Sequence, residues 1–372
     1  MNIMTKIVAP ALAALALSSC GKGPALIPEE YFHGKVDGKQ VSLYTLRGGD
    51  LIMQVTNYGG RVVTLWTPDR DGRLADIETG YENLDRYVNN TGERFLGAAV
   101  GPVANRIGKG SFLLDGQTYD LPKNDNGNTL HGGFVGIDRV VWDVASLSEN
   151  SITLSLDRPD GFEGFPGNVH IDMVYTLTND NEFRVDYKAT TDKITVINLS
   201  HHSFFNLTGN SSHSILDHVL TINADGFTPV DSLLIPTGEI LPVEGTALDF
   251  RTPHSIGERV DARELKNSNG YDNNWVLVPG EGVRSIAQLY EPESGRTMEI
   301  LTDQPGLQFY CGNFFDGSYS DKYGNPIGYR CSLALETQKH PDSINHEGFS
   351  DTILRPGEVY TQTCIYKFTV KQ

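Results

Sequence analysis

Polar and apolar residues alternate with a period of two along several stretches of this chain, and that period limits what those stretches can become. Val169, Ile171, Met173, Tyr175 and Leu177 fall on one face of 169–177, and Phe183, Val185, Tyr187 and Ala189 form a second such stripe. Ser151 to Leu156 alternates in the same way. Near the end of the chain, Tyr360, Gln362, Cys364, Tyr366, Phe368 and Val370 share a face, while Thr361, Thr363, Lys367 and Thr369 look outward. Side chains of a strand point to opposite faces in turn, whereas a helix repeats every 3.6 residues, so these are half-buried strands. Asp37-Gly38, Asp71-Gly72, Asp115-Gly116, Asn179-Asp180-Asn181 and Ser294-Gly295 punctuate them. Asp-Gly pairs suit tight hairpins, and the 39 glycines fit a chain of many short turns. No long helical stripe is present; His254 to Glu264 reads as one short helix. With no compositional gap and no internal repeat, 31–372 is expected to be one all-β domain of packed antiparallel sheets.

The start of the chain has a different character. Met1 to Lys6 is weakly positive, and Ile7 to Leu17 is an apolar run too short for an ordinary membrane span. It runs into Leu17-Ser18-Ser19-Cys20-Gly21. Small residues before a cysteine at this place resemble a bacterial lipoprotein cleavage site. The resemblance implies a signal peptide over 1–20, a lipid on Cys20, a tether over 21–30 and residence in the cell envelope. Gly21, in place of Asp, implies the outer membrane. The membrane is then met only through that anchor; an ordinary signal peptide is the alternative. The remaining cysteines, Cys311, Cys331 and Cys364, sit in apolar stretches and read as buried thiols. They form no Cys-x-x-Cys pattern that would suggest zinc. The chain carries a net charge of −17, and only Lys6 is charged in the first twenty residues. Such an acidic surface, without a basic patch, argues against a nucleic-acid partner.

Five patches carry polar residues where a plain strand would not. Gly101 and Gly108 bracket Asn105-Arg106, which suits a loop that fixes a guanidinium, although a lone Arg is also an ordinary surface charge. His131 precedes Gly132-Gly133, so a ligand could approach the backbone closely there; the bland alternative is a capping His. In Asn198 to Leu207, alternation makes His201 and His202 point oppositely, so only one of them can face a given pocket. That spacing also argues against a paired-His metal site. Asp272 stands before an apolar strand that contains Trp275, where a turn-capping role is the plain reading. Glu336 interrupts the apolar run Leu333-Ala334-Leu335, and a buried carboxyl is costly unless paired or put to use. Gln338 should share its face.

Taken in order, these patches resemble the aldose 1-epimerase (mutarotase) family. The matching motifs are Gly101-x-x-x-Asn105-Arg106-Ile107, Leu130-His131-Gly132-Gly133 and Asn198-Leu199-x-x-His202-Ser203-x-Phe205-Asn206-Leu207. They continue at Phe227-Thr-Pro-Val-Asp231, Ile235-Pro-Thr-Gly238, Thr246-x-Leu248-Asp249-Phe250, Tyr271-Asp272 and Leu335-Glu336-Thr337-Gln338. The resemblance implies a galactose-mutarotase-like β-supersandwich with few short helices. It implies an isomerase that interconverts the α and β anomers of a free aldohexose such as glucose or galactose. In it Glu336 would be the general base and His202 the general acid, with His131 near the ring oxygen. Asn105, Arg106, Asp272 and Gln338 would bind the sugar.

Opening a hemiacetal ring needs a proton removed from the C1 hydroxyl and one given to the ring oxygen, and a carboxylate with an imidazolium can do both. Nothing is oxidised and no group leaves, so neither cofactor nor metal is required. The chain departs from the family pattern at His201 (often Asn), Phe204 (often Tyr) and Asn273 (often His), which bears on sugar preference. The competing reading is a non-catalytic carbohydrate-binding lipoprotein on the same fold. A hexose-phosphate epimerase would want clustered basic residues, and a lyase or glycosidase would cleave chains.

Overall fold

In the computed structural model, residues 24–89 and 92–372 are described. The largest sheet has nine antiparallel strands. From one edge these are Asp143–Leu147, Ser151–Arg158, Val169–Leu177, Glu182–Thr191, Tyr360–Val370, Arg296–Thr302, Arg284–Tyr290, Val219–Ile222 and His254–Ser255. The C-terminal strand lies in the middle of it, which ties the end of the chain to residues 182–191 on one side and 296–302 on the other. The alternating stripes are the inward faces: Ile171, Met173, Tyr175, Phe183, Val185 and Tyr366 are buried in one continuous core.

A five-stranded antiparallel sheet runs Leu241–Pro242, Ala224–Thr228, Asp272–Leu277, Gly306–Tyr310, Ala334–Gln338. A four-stranded sheet runs Leu43–Gly48, Leu51–Thr56, Arg61–Pro68, Leu74–Asp76. Every residue of Leu51–Thr56 is buried, so that strand is covered on both faces. The core joins all three sheets through Met53 and Leu65, Leu154 and Met173, and Trp275 and Phe309. This is the β-supersandwich expected from the sequence. Burying each such large apolar side chain contributes roughly 1.5–3 kcal/mol, the main opposition to the entropy of ordering so many strands.

Asp37-Gly38 and Asp115-Gly116 close hairpins with both residues at positive φ, as Asp-Gly turns require. Among the described residues, Leu84–Val88 is the α-helix, and the Asn83 side chain caps it by accepting from the Arg86 amide. The helix expected over 254–264 does not form. His254–Ser255 is a short strand, and 3-10 turns follow at Ile256–Glu258 and Arg263–Ser268. His254 and Ser255 pair with Leu220 and Val219 at the edge of the nine-stranded sheet, and the Ile256 and Gly257 amides donate to the carbonyls of His218 and Leu216, so a neighbouring segment holds the start of this stretch extended. Cys20 and the apolar run before it lie outside the described residues. Within the segment read as a tether, Ile27 is buried and exchanges two hydrogen bonds with the Gln54 side chain.

Candidate active site

Two carboxyl groups enter the site from the five-stranded sheet. Asp272 opens the strand Asp272–Leu277, and Glu336 lies mid-strand in Ala334–Gln338. Gln308 stands between them, paired in register with both Asn274 and Glu336. Alternation puts Asp272, Gln308, Tyr310 and Glu336 on one face and Asn273, Phe309 and Leu335 on the other. Gln308 Nε2 donates to Asp272 Oδ1 at 2.7 Å, which fixes the first carboxyl. Glu336 is 2 % exposed, and its Oε2 has no hydrogen-bond partner among the described residues.

His202 comes from the short strand Ser200–His202, which pairs with Ala98–Val100. That segment is pinned to the Glu336 strand along its length. Ser200 Oγ donates to the Thr337 carbonyl at 3.0 Å, and Phe205 and Leu333 exchange backbone bonds of 2.7 and 3.0 Å. Asn198 closes the far end with reciprocal bonds to the backbone of Lys339. The result sets His202 Nε2 3.4 Å from Glu336 Oε1. Phe204 stacks on the imidazole at 4.8 Å between ring centroids. His201 points the other way, into the core, edge-on to Tyr175 and Phe183.

A paired loop supplies the adjoining wall, with the His131 ring 5.3 Å from that of His202. Asn105 and His131 both sit at positive φ, 62° and 48°. The His131 amide donates to the Asn105 carbonyl at 3.0 Å. The Asn105 amide in turn donates to His131 Nδ1 at 3.1 Å. A neutral imidazole whose Nδ1 accepts must carry its proton on Nε2, so His131 is a hydrogen-bond donor. Arg106 reaches in from the adjoining residue, steadied by Asp125 at 2.8 Å.

These groups line a cleft of about 470 Å³, within the ordinary size for a small-molecule site. A shallower hollow near Asp249, Arg259 and Glu264 is larger, at about 610 Å³, but it lacks a buried acid–base pair. Burial raises the Glu336 carboxyl well above the usual range, with Asp272 adding to the rise and Arg106 opposing it. Burial pushes the His202 imidazole down to about 3. Burial also lowers His131 well below its ordinary value, helped by the nearby His202 and Arg106. Burial thus favours a neutral carboxyl beside a neutral imidazole over the carboxylate–imidazolium form that ring opening uses. The two forms hold the same protons and differ by one transfer across the gap.

One ligand atom each from His131, His202 and Glu336 lie within 4.8 Å of one another, a span a divalent ion could bridge. The donor set does not suit one. With Nδ1 of His131 accepting from Asn105, its Nε2 carries hydrogen rather than a lone pair, and the carboxyl tends to stay protonated.

Six of the seven sugar-site residues read from the sequence thus converge: Asn105, Arg106, His131, His202, Asp272 and Glu336. Gln338 lies behind the cleft wall, wholly buried, with its Nε2 on Asn274 Oδ1 at 3.3 Å. Phe204 lines the cleft, whereas Asn273 faces a separate hollow beside Phe227 and Leu248. Sequence reasoning missed Gln308, Glu93, Phe95 and Tyr310. Gln308 sits in the apolar run Gly306–Tyr310 as Glu336 does in its own, so the same signal marks it. Glu93 and Phe95 lie in an irregular segment and carry no such mark.

A buried carboxyl–imidazole pair lining a cleft, carried by stacked antiparallel sheets, is the arrangement of an acid–base enzyme. A family model described as aldose 1-epimerase matches residues 42–367. Galactose mutarotase of Rattus norvegicus is 41 % identical over 333 residues, covering 90 % of this chain and 95 % of that one. Aldose 1-epimerase of Escherichia coli is 34 % identical over 353 residues, covering 93 % and 98 %. Among solved structures, an aldose epimerase homologue from C. elegans superposes with a TM-score of 0.83 at 28 % identity, covering 89 % of this chain and all of its own. A galactose 1-epimerase from Lactobacillus acidophilus gives 0.80 at 28 %, covering 91 % and 98 %. The chain belongs to the aldose 1-epimerase family, and with that family it is an isomerase.

Proposed function

We propose that this enzyme interconverts the α and β anomers of free aldohexoses such as glucose and galactose, with Glu336 and His202 as its proton-transfer pair. The observation that carries this reading is the buried contact of 3.4 Å between Glu336 Oε1 and His202 Nε2, open to the cleft. One proton serves the pair. With it on His202, Glu336 takes the C1 hydroxyl proton while His202 delivers its own to the ring oxygen, and the ring opens to the aldehyde. Rotation about C1–C2 presents the other carbonyl face. Closure reverses both transfers and restores the pair. His131 donates from Nε2 toward the developing charge on oxygen, a contribution of the preorganised-dipole kind. Asn105, Arg106 and Asp272 hold ring hydroxyls and fix the orientation of the sugar. Gln308 belongs to this wall through its bond to Asp272, in the place that the sequence assigned to Gln338.

Polarimetry of freshly dissolved α-glucose and α-galactose tests the reading. Equilibration well above the buffer rate supports it. Binding without acceleration would instead favour a carbohydrate-binding protein. As part of the same reading, Cys20 is lipidated and the enzyme is held at the outer membrane, facing the periplasm, on the strength of Leu17-Ser18-Ser19-Cys20-Gly21. Replacing Cys20 with Ser should move the enzyme from the membrane fraction to the soluble one; unchanged membrane retention would remove the anchor from the proposal.

A further inference from the structure

We infer that Arg94 is a positioning residue, which with Asp138 clamps the loop that carries His131. The inference rests on the mutarotase reading above. Nothing in the sequence motifs marks Arg94, and it does not line the cleft. Its guanidinium nevertheless uses all three nitrogens on the loop that follows His131. Nη1 donates to the Gly133 carbonyl at 2.9 Å, and Nη2 donates to the Val135 carbonyl at 2.9 Å and to Asp138 Oδ1 at 2.8 Å. Nε donates to Asp138 Oδ2 at 2.9 Å. This is the bidentate fork that an arginine makes on a carboxylate and a lysine cannot.

The carboxylate it grips is fixed from behind. Asp138 is fully buried, and Arg61 approaches its Oδ2 at 3.4 Å while bonding its carbonyl at 3.0 Å. Arg61 also holds the carbonyls of Arg94 and Leu96 at 2.8 and 3.0 Å. The segment bearing Arg94 and the loop bearing Asp138 are thereby tied to one buried anchor. The loop needs such a tie. Gly132, Gly133 and Gly136 all adopt positive φ and Phe134 between them is exposed, so the stretch after His131 packs few side chains before Ile137 enters the core. A second tie comes from Asn124 Nδ2, which donates to the carbonyls of Leu130 and Gly133 at 3.0 and 2.9 Å. The Arg94 guanidinium also lies 4.7 Å over the Phe95 ring, and that ring sits 4.6 Å from the His131 imidazole. Arg94 therefore fixes His131 through its backbone and through the ring it rests on.

The test uses Arg94→Lys, which keeps the charge and loses the fork, with Arg94→Gln as a second variant should the first fail to fold. Each is made in the wild type and in His131→Ala. Far-UV circular dichroism confirms the fold, and kcat and KM are measured separately. The expected result is a kcat lowered about ten- to a hundredfold with KM within about threefold, because a misplaced group costs rate more than binding. In His131→Ala the same substitution should lower kcat by less than about threefold, since there is no imidazole left to position. A kcat within about twofold of wild type overturns the inference. An equal loss in the two backgrounds overturns it too, because a merely structural Arg94 would act independently of His131. A wild type no faster than buffer would instead sink the mutarotase reading itself, so the two failures are distinct.

Discussion

Burial makes Glu336 a better base when ionised and His202 a better acid when protonated, which is the tuning that a proton-transfer pair requires. Glu336→Gln keeps the shape and removes the proton acceptor, and His202→Ala removes its partner. Each is expected to lower turnover by at least about a hundredfold with the fold retained by circular dichroism. Near-wild-type activity in either would strip that residue of its role. The directions of the shifts also set the pH profile. The working pair holds one proton. A second adds only as pH falls toward the His202 value of about 3, so the acid limb of kcat/KM lies low. The one proton leaves as pH rises through the raised Glu336 value, so activity falls on the alkaline side of the usual carboxylate range. A profile that instead rises steadily through neutrality would contradict the pair. At this scale the sequence was legible where chemistry broke a pattern: Glu336 stood out because an acid in an apolar strand is costly. Gln338 looked equivalent by alternation, yet two residues along a strand is far enough to leave a cleft that ends at Glu336. Which side of the pair holds the proton was not legible, because it depends on burial from several elements at once.

The elements show the same division. Strands with a clean period of two were legible to within two residues at their ends, because each repeats a local rule. The helix expected over 254–264 was not, because its first residues, His254 and Ser255, pair as a strand with Leu220 and Val219, far away in sequence. The His131 loop was legible as a site for close approach, and Gly132 shows why. It has φ +85°, and a Cβ there would lie 2.0 Å from the Gly101 carbonyl oxygen. Gly132→Ala must therefore push the loop off the segment that carries Asn105, breaking the reciprocal bonds that set the His131 tautomer. Gly116 offers the contrast: it has φ +76° in an exposed hairpin, with nothing within 4 Å of its Cβ position. Gly116→Ala should cost about 1–2 kcal/mol of stability from the left-handed backbone alone and leave kcat unchanged. Gly132→Ala should lose at least about tenfold in kcat. Equal activity in the two variants would show that the loop tolerates displacement.

At the scale of the whole molecule, fold and family were legible because many weak motifs keep their order along the chain. The depth of the core was not, since stacking three sheets buries polar groups that sequence alone treats as exposed. His201, His218 and His340 are among them, held down to about 3, 4 and 4 by desolvation. Each takes up its proton less readily folded than unfolded, so the unfolded chain binds more protons between the ordinary histidine value and these depressed ones. Stability therefore rises with pH across that window and drains away on acidification, before most carboxylates titrate. His201 isolates the effect, because it lies outside the cleft and neither of its ring nitrogens finds a hydrogen-bond partner among the described residues. His201→Leu replaces it with a side chain suited to the ring faces of Tyr175 and Phe183. At pH 7 the variant should melt near the wild type. At pH 4.5 the wild type carries a penalty from this one imidazole on the order of 2 kcal/mol, which the variant lacks. Thermal melts followed by circular dichroism should then show the wild type losing a few degrees more than His201→Leu between the two pH values. Parallel losses would mean that His201 opens to water or protonates within the fold, and that the acid sensitivity of the molecule lies in its other buried groups.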